Sequence, residues 1–257
     1  MKHTGLILAA HGSTAEPQVN RDVAALAGKI AERDLVAEVR CAFHKGTPQF
    51  GEAVDAMSAD EIVVVPLMAS DGYYATRVLP AALATAQRFG EVPIRQTHAV
   101  GAHPQIQTIA ASRCRAVMTR FGCDPLATTV LLVGHGTPRH RDSCQTTQRC
   151  AEAFVRVGVA SDVCAAFIED QPSLEDALEG AAHADVVVIP FMIGFGRHVT
   201  QDVARRIGLG AVTEAELPIA LPVREGRVIL DVPVGVDPGI ESLIIDLATA
   251  SAGARVS

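Results

Sequence analysis

The chain repeats itself. His11 pairs with His135, Phe43 with Phe167, Pro48 with Pro172, Pro66 with Pro190 and Gly72 with Gly196, each pair 124 residues apart. Past the fourth apolar run the spacing becomes 134, set by Val100-Gly101 against Val234-Gly235 and by Pro104 against Pro238. The second half therefore carries ten extra residues, which the pattern places within residues 211–228. A period this long, kept across several elements, means one structural unit built twice.

Within each half, short apolar runs alternate with stretches of helical spacing. Residues 5–10 form a continuous apolar run, as a strand buried on both faces would, and end at His11-Gly12-Ser13 before a helical stretch over 19–32. Strands are expected at 38–43, 61–66 and 94–98, and helices at 49–57, 79–89 and 104–121. Residues 122–127, GCDPLA, have the turn residues of a linker. The expectation is an α/β fold with two similar lobes, 1–122 and 128–257, each a mostly parallel sheet flanked by helices.

Composition removes several function classes. With 49% hydrophobic and 20% charged residues, the 257 residues can bury a large core. A net charge of −7, few aromatics and no tryptophan argue against a nucleic-acid partner, which would want a basic face and stacking rings. The amino-terminal apolar run is too short to span a membrane and meets a histidine and a polar turn where a signal peptide needs its cleavage region. A cytoplasmic protein with no membrane partner is expected. Six cysteines form no CxxC pair, so they are read as small buried side chains and not as a zinc knuckle or redox pair.

Two stretches carry chemistry: 131–142, LLVGHGTPRHRD, and 186–202, VVVIPFMIGFGRHVTQD. In an open parallel sheet, ligands sit outside the carboxyl ends of the strands. If each sheet runs 2-1-3-4, three neighbouring strand ends of the second half carry His135, Glu169 and His198. Strands lie about 4.8 Å apart, so the three can share one ion. Two imidazoles and a carboxylate suit a divalent transition metal and leave positions open for exchange. Each histidine alone would more simply be a loop residue bonded to a backbone carbonyl; the set of three at one sheet edge favours the metal. Asp170, followed by Gln-Pro-Ser, is read as a turn or helix-entry residue before a ligand. The first half has His11, Lys45 and Tyr74 at the paired positions, so the triad is absent there. Lys45, with Arg77 nearby, faces either solvent or an anionic substrate.

These motifs, together with AFIEDQPSLEDAL at 166–178 and the VGxxP turns at Val100 and Val234, resemble the class II tetrapyrrole chelatases, and most closely the sirohydrochlorin chelatases. The resemblance covers nearly the whole chain. It implies two α/β lobes enclosing a macrocycle cleft, and metal-binding, catalytic roles for His135, Glu169 and His198, with the site in the second half. It also implies ATP-independent insertion of Co²⁺ into sirohydrochlorin, a tetrapyrrole with carboxylate arms, in cobalamin synthesis, with Fe²⁺ for sirohaem synthesis, or Ni²⁺, as alternatives. The metal is substrate, and no tightly bound cofactor is expected. Arg139, Arg141, Arg197, Gly196, Lys45 and Tyr74 are the expected substrate contacts, the arginines because their planar forks match carboxylates. The chain lacks a GxxxxGK[ST] phosphate loop, in keeping with insertion without nucleotide. A non-catalytic tetrapyrrole carrier, and an anion-binding phosphate enzyme using HGT, are the competing classes.

Overall fold

The computed structural model describes residues 3–137, 142–223, 225–250 and 254–255. The first half runs β1 (Thr4–Ala10), α1 (Pro17–Ala31), β2 (Glu38–Phe43), α2 (Phe50–Asp55) and β3 (Glu61–Leu67). The helix expected over 79–89 differs: it begins earlier, as a π-helical turn at Tyr74–Val78, continues as α3 (Leu79–Leu83), and gives way to turns. Arg88 accounts for the early stop. Its N–H donates to Asp55 Oδ1 at 3.0 Å and its guanidinium reaches the carbonyls of Met57 and Ala59, tying this stretch to the end of α2. Then come β4 (Ile94–Gln96) and α4 (Gln105–Phe121), closed by Gly122 in the left-handed conformation (φ 64°) that commonly ends helices.

The second half follows the same order: β5 (Thr128–Gly134), α5 (Asp142–Arg156), β6 (Asp162–Phe167), α6 (Leu174–Glu179) and β7 (Asp185–Pro190). A second π-helical turn, His198–Val203, leads into α7 (Ala204–Arg206). β8 (Ile219–Val223), β9 (Gly226–Leu230), α8 (Gly239–Thr249) and the short β10 (Ala254–Arg255) complete the chain.

Two five-stranded sheets result, ordered β10-β4-β3-β1-β2 and β6-β5-β7-β9-β8. Each contains the expected 2-1-3-4 order in parallel pairing, with one antiparallel edge strand, β10 or β8, added. β9 occupies the place that β4 has in the first sheet. The ten extra residues are thus spent on β8 and its turn, and Pro222 is tolerated there because an edge strand has ladder positions that need no N–H. β1 and β5 are buried along their whole length, which is why they read as unbroken apolar runs.

The cores repeat with the strands. Ile7, Phe50, Leu79 and Leu83 pack in the first unit; Leu131, Leu174, Val203 and Ile207, each 124 residues later, pack in the second. Burying each of the larger side chains is worth about 1.5–3 kcal/mol, so the same layer stabilises both sheets.

The compact units do not divide at the expected 122/128 boundary. One takes in the residues up to His103 and those from Pro238 onward; the other is Pro104–Asp237. α4 packs on α5 and β7, where Arg113 pairs with Asp231 at 2.7 Å. α8 packs on α1 and β3, where Glu241 accepts from Arg33 at 2.6 Å. An amphipathic pattern says that a helix covers a sheet, not which of two sheets. Both crossings follow the VGxxP turns. There the N–H of Gly101 donates to Met68 O at 2.9 Å and that of Gly235 to Met192 O at 2.8 Å. A Cβ would stand 2.2 Å from Ala69 O at Gly101 and 2.1 Å from Ile193 Cα at Gly235, so only glycine fits.

Candidate metal centre

In each unit the loop after the second strand is laid on the loop after the first by the same two hydrogen bonds. The N–H of Ile168 donates to Gly134 O at 3.1 Å and that of Glu169 to His135 O at 2.9 Å. In the first unit His44 and Lys45 donate to Ala10 O and His11 O at 3.1 and 2.7 Å. Glu169 and Lys45 therefore occupy equivalent places. Gly136 makes the approach possible: its φ is +71°, and a Cβ there would meet Asp170 Cβ at 2.7 Å and Phe167 Cβ at 2.9 Å. The third loop ends in the π-helical turn that begins at His198, whose first bonds go to Gly196 O from the N–H groups of Val199 and Thr200, at 2.9 and 3.2 Å.

The second unit brings the three expected residues together. His135 Nδ1 lies 3.8 Å from Glu169 Oε2, and the His135 and His198 rings stand edge to face with centroids 4.4 Å apart. All three side chains are partly exposed, so an ion in water can reach them. His135 Nδ1 is 2.7 Å from Gly136 O. A carbonyl only accepts, so Nδ1 carries the proton and Nε2 keeps its lone pair in the neutral ring. The carbonyl bond weighed as the simpler role of such a histidine is therefore present, but it occupies one nitrogen and frees the other. His198 Nδ1 is held in the same sense by Asp202 Oδ2 at 2.9 Å. Among the described residues no three His, Cys, Asp or Glu side chains hold an ion-binding arrangement as they stand. Glu169 lies toward Nδ1 of His135, and its exposed side chain must swing to share an ion with the two Nε2 atoms.

Asp170 behaves as a turn residue. Its Oδ1 accepts from the Gln171 N–H at 2.8 Å and its Oδ2 from Cys144 Sγ at 2.9 Å; burial first, then this carboxylate, push the Cys144 thiol up, so it stays a donor. Ser173, not Asp170, caps α6. Arg197 is exposed at the start of the π-helical turn, beside Gly196. Arg139 and Arg141, with His140 between them, lie outside the described residues.

The first unit shows what replaces the triad. His11 keeps its Nδ1 contact to a carbonyl, Gly12 O at 3.0 Å, but its neighbours are Tyr74, with ring centroids 4.8 Å apart, and His44 at 5.5 Å. Tyr73 extends the cluster, 6.1 Å from Tyr74. Lys45 and Tyr74 are both exposed at this sheet edge. His44 and Asp202 were not singled out from the sequence. The signal for Asp202 was its i, i+4 spacing from His198; His44 had none, since its repeat partner is Ile168.

A recess of ≈ 390 Å³ lined by His183, Val186, Arg206 and Val228 lies at the amino end of β7 and β9, the opposite edge of this sheet, and takes in none of these residues.

Known proteins share this architecture. A probable sirohydrochlorin cobaltochelatase of Halobacterium salinarum is 28% identical over 220 residues, covering 77% of this chain and 74% of its own. The solved structure of CbiX, described as the terminal enzyme of sirohaem biosynthesis in denitrifying bacteria, superposes with a TM-score of 0.76 at 21% identity, over 97% of this chain and 99% of that one. A multi-domain protein of Deinococcus radiodurans, described as structurally similar to chelatases, superposes with a TM-score of 0.74 at 21% identity over 99% of this chain, which spans only 57% of that protein. At these identities the two superpositions speak for the fold. The CbiX family model matches residues 5–117 and again 129–251, once in each half, and the chain belongs to the CbiX family.

Proposed function

We propose that the protein inserts a divalent metal, Co²⁺ in the first instance, into sirohydrochlorin without consuming nucleotide. One observation carries this reading: His135, Glu169 and His198 meet at the carboxyl edge of a single sheet, both rings with Nδ1 engaged and Nε2 left as donor. Insertion exchanges two pyrrole N–H protons for the ion, so the site must shed water from the metal, present it, and accept protons. The two imidazoles bind the ion through Nε2, and Glu169 swings in as the third ligand. As the ion leaves for the macrocycle, the two pyrrole protons pass to the two vacated Nε2 atoms, that of His135 as the principal acceptor and that of His198. Three protein ligands leave coordination positions for water and then for pyrrole nitrogen.

Arg197, Arg139 and Arg141 supply cations for the carboxylate arms, and Gly196 gives close backbone contact. Cobalt takes precedence because the Halobacterium relative is named a cobaltochelatase; cobalamin synthesis is the setting that the sequence resemblance implies. Fe²⁺ is the second reading, favoured by the sirohaem role given to the solved CbiX. All six cysteines are free, in keeping with a reducing, cytoplasmic setting, and among the described residues no helix is long and apolar enough to cross a membrane.

The test is an anaerobic absorbance time course with sirohydrochlorin and Co²⁺ or Fe²⁺. Insertion lost in His135→Ala and His198→Ala and kept in His11→Ala is the expected pattern. A rate no faster than the protein-free control with either ion overturns the chelatase reading in favour of a carrier.

A further inference from the structure

We infer that Asp202 is a positioning residue that fixes the His198 imidazole with its proton on Nδ1, so that Nε2 is the metal donor. The inference rests on the reading of His198 as a ligand. The carboxylate oxygen stands 2.9 Å from Nδ1. An ionised carboxylate only accepts, so the proton between them belongs to the ring, whichever charge state the ring has. Asp202 is the less exposed partner, at 28% against 47% for His198, and it sits between the buried Val199 and Val203 on the same turn. Its side chain therefore has less freedom to leave than the ring it holds.

The internal repeat supplies a second, independent observation. Both units build a π-helical turn at this place, starting at Tyr74 in one and His198 in the other. The backbone device is common to both; the pair is not. Where the first unit has Tyr74 for His198, it has Val78 for Asp202. The carboxylate is present in the unit that has the imidazole and absent in the unit that lacks it. A carboxylate kept only for the fold of the turn would have no reason to follow the ring.

The geometry also gives the two histidines the same sense. Gly136 O holds Nδ1 of His135 and Asp202 holds Nδ1 of His198, with the rings 4.4 Å apart. Both are left with Nε2 as the only lone pair for a common ion. Removing such a partner from a metal-binding histidine typically costs 10–100-fold in affinity or activity, because the ring then samples other tautomers and orientations.

The test uses the full chain and Co²⁺ alone, with no macrocycle. Wild type, Asp202→Ala, Asp202→Asn, His198→Ala and the double variant His198→Ala/Asp202→Ala are titrated with Co²⁺. The imidazole ¹⁵N shifts of the His198-containing proteins are recorded at alkaline pH, where the ring is neutral. The Nδ1–H tautomer is expected for His198 in wild type and a shift toward Nε2–H in Asp202→Ala. Co²⁺ affinity should fall about 10–100-fold in Asp202→Ala, less in Asp202→Asn, and no further in the double variant than in His198→Ala. Urea midpoints show whether each variant is folded, and Asp202→Asn carries the test if Asp202→Ala is not. If Asp202→Ala keeps the tautomer and the affinity while His198→Ala loses Co²⁺, the positioning role is wrong and the ligand reading stands. If His198→Ala also binds as wild type does, the ligand reading fails and takes this inference with it.

Discussion

Adding one methyl group at Gly136 tests the construction of the candidate metal centre from beneath. Two costs add in Gly136→Ala. The residue is held at φ +71°, where an L side chain costs roughly 1–2 kcal/mol. The new Cβ would lie 2.7 Å from Asp170 Cβ, 2.9 Å from Phe167 Cβ and 3.2 Å from Asp170 N. Neither neighbour yields easily: Phe167 is fully buried, and the Asp170 carboxylate is tied to Cys144 Sγ and the Gln171 N–H. Overpacking of this kind costs about 1–3 kcal/mol, so a total destabilisation of about 2–5 kcal/mol is expected. Any relief must come from moving the 168–170 loop away from His135, which lengthens the bond from Glu169 N–H to His135 O and displaces the carboxylate. Urea unfolding gives the stability, and Co²⁺ titration of the folded protein gives the site. Gly194→Ala is the control, since nothing lies within 4 Å of a Cβ there and its φ is ordinary. A Gly136→Ala protein as stable as the control and binding Co²⁺ like wild type would refute the reasoning that this glycine sets the spacing of the two loops.

Three further outcomes follow from groups away from the centre. Arg113→Ala should cost about 3–5 kcal/mol in urea unfolding, because it strands the fully buried Asp231 carboxylate without its partner. Burial holds Asp231 above the ordinary carboxylate range even though Arg113 pulls it down. The folded state therefore binds this proton more tightly than the unfolded one, and the contribution is complete below about pH 4 and lost as pH rises through the raised value. Unfolding free energies of wild type should fall across that interval relative to Asp231→Asn; parallel curves would contradict the assignment. Burial pushes the Cys114 and Cys150 thiols up to about 12, so neither should react with a thiol reagent near pH 8 until urea unfolds the protein, while half-buried Cys41 and Cys164 react first.

Much of this molecule was legible in the sequence for a physical reason. Strands buried on both faces must be continuous apolar runs, so β1, β3, β5 and β7 announce themselves, and a repeat at fixed spacing sets their order. That order brings the ends of β5, β6 and β7 side by side, and the meeting of His135, Glu169 and His198 follows from it. What escaped depends on long-range choices that leave no periodic mark. α4 and α8 have amphipathic patterns that either sheet could satisfy. The helix expected over 79–89 is cut short by Arg88 reaching the end of α2. β10 is two residues long and exists by pairing with β4. Asp202 carries only a weak mark in the sequence, its i, i+4 spacing from His198; the 2.9 Å contact to the ring's Nδ1 shows the two as partners.

The exchange of α4 and α8 bears on how such a chain arises. A polypeptide with a single repeat, ending in its own last helix, would lay that helix on a sheet other than its own. Two copies would then complete each other by trading helices, a pairing that domain swapping makes inexpensive. Tandem duplication of the gene converts that trade into one chain without a new contact having to evolve. Once both copies are joined they are free to diverge, so one can keep the imidazoles and carboxylate while the other takes tyrosine and lysine at the same places. In the present chain the trade makes the halves interdependent, since each sheet is covered by a last helix that the other half contributes.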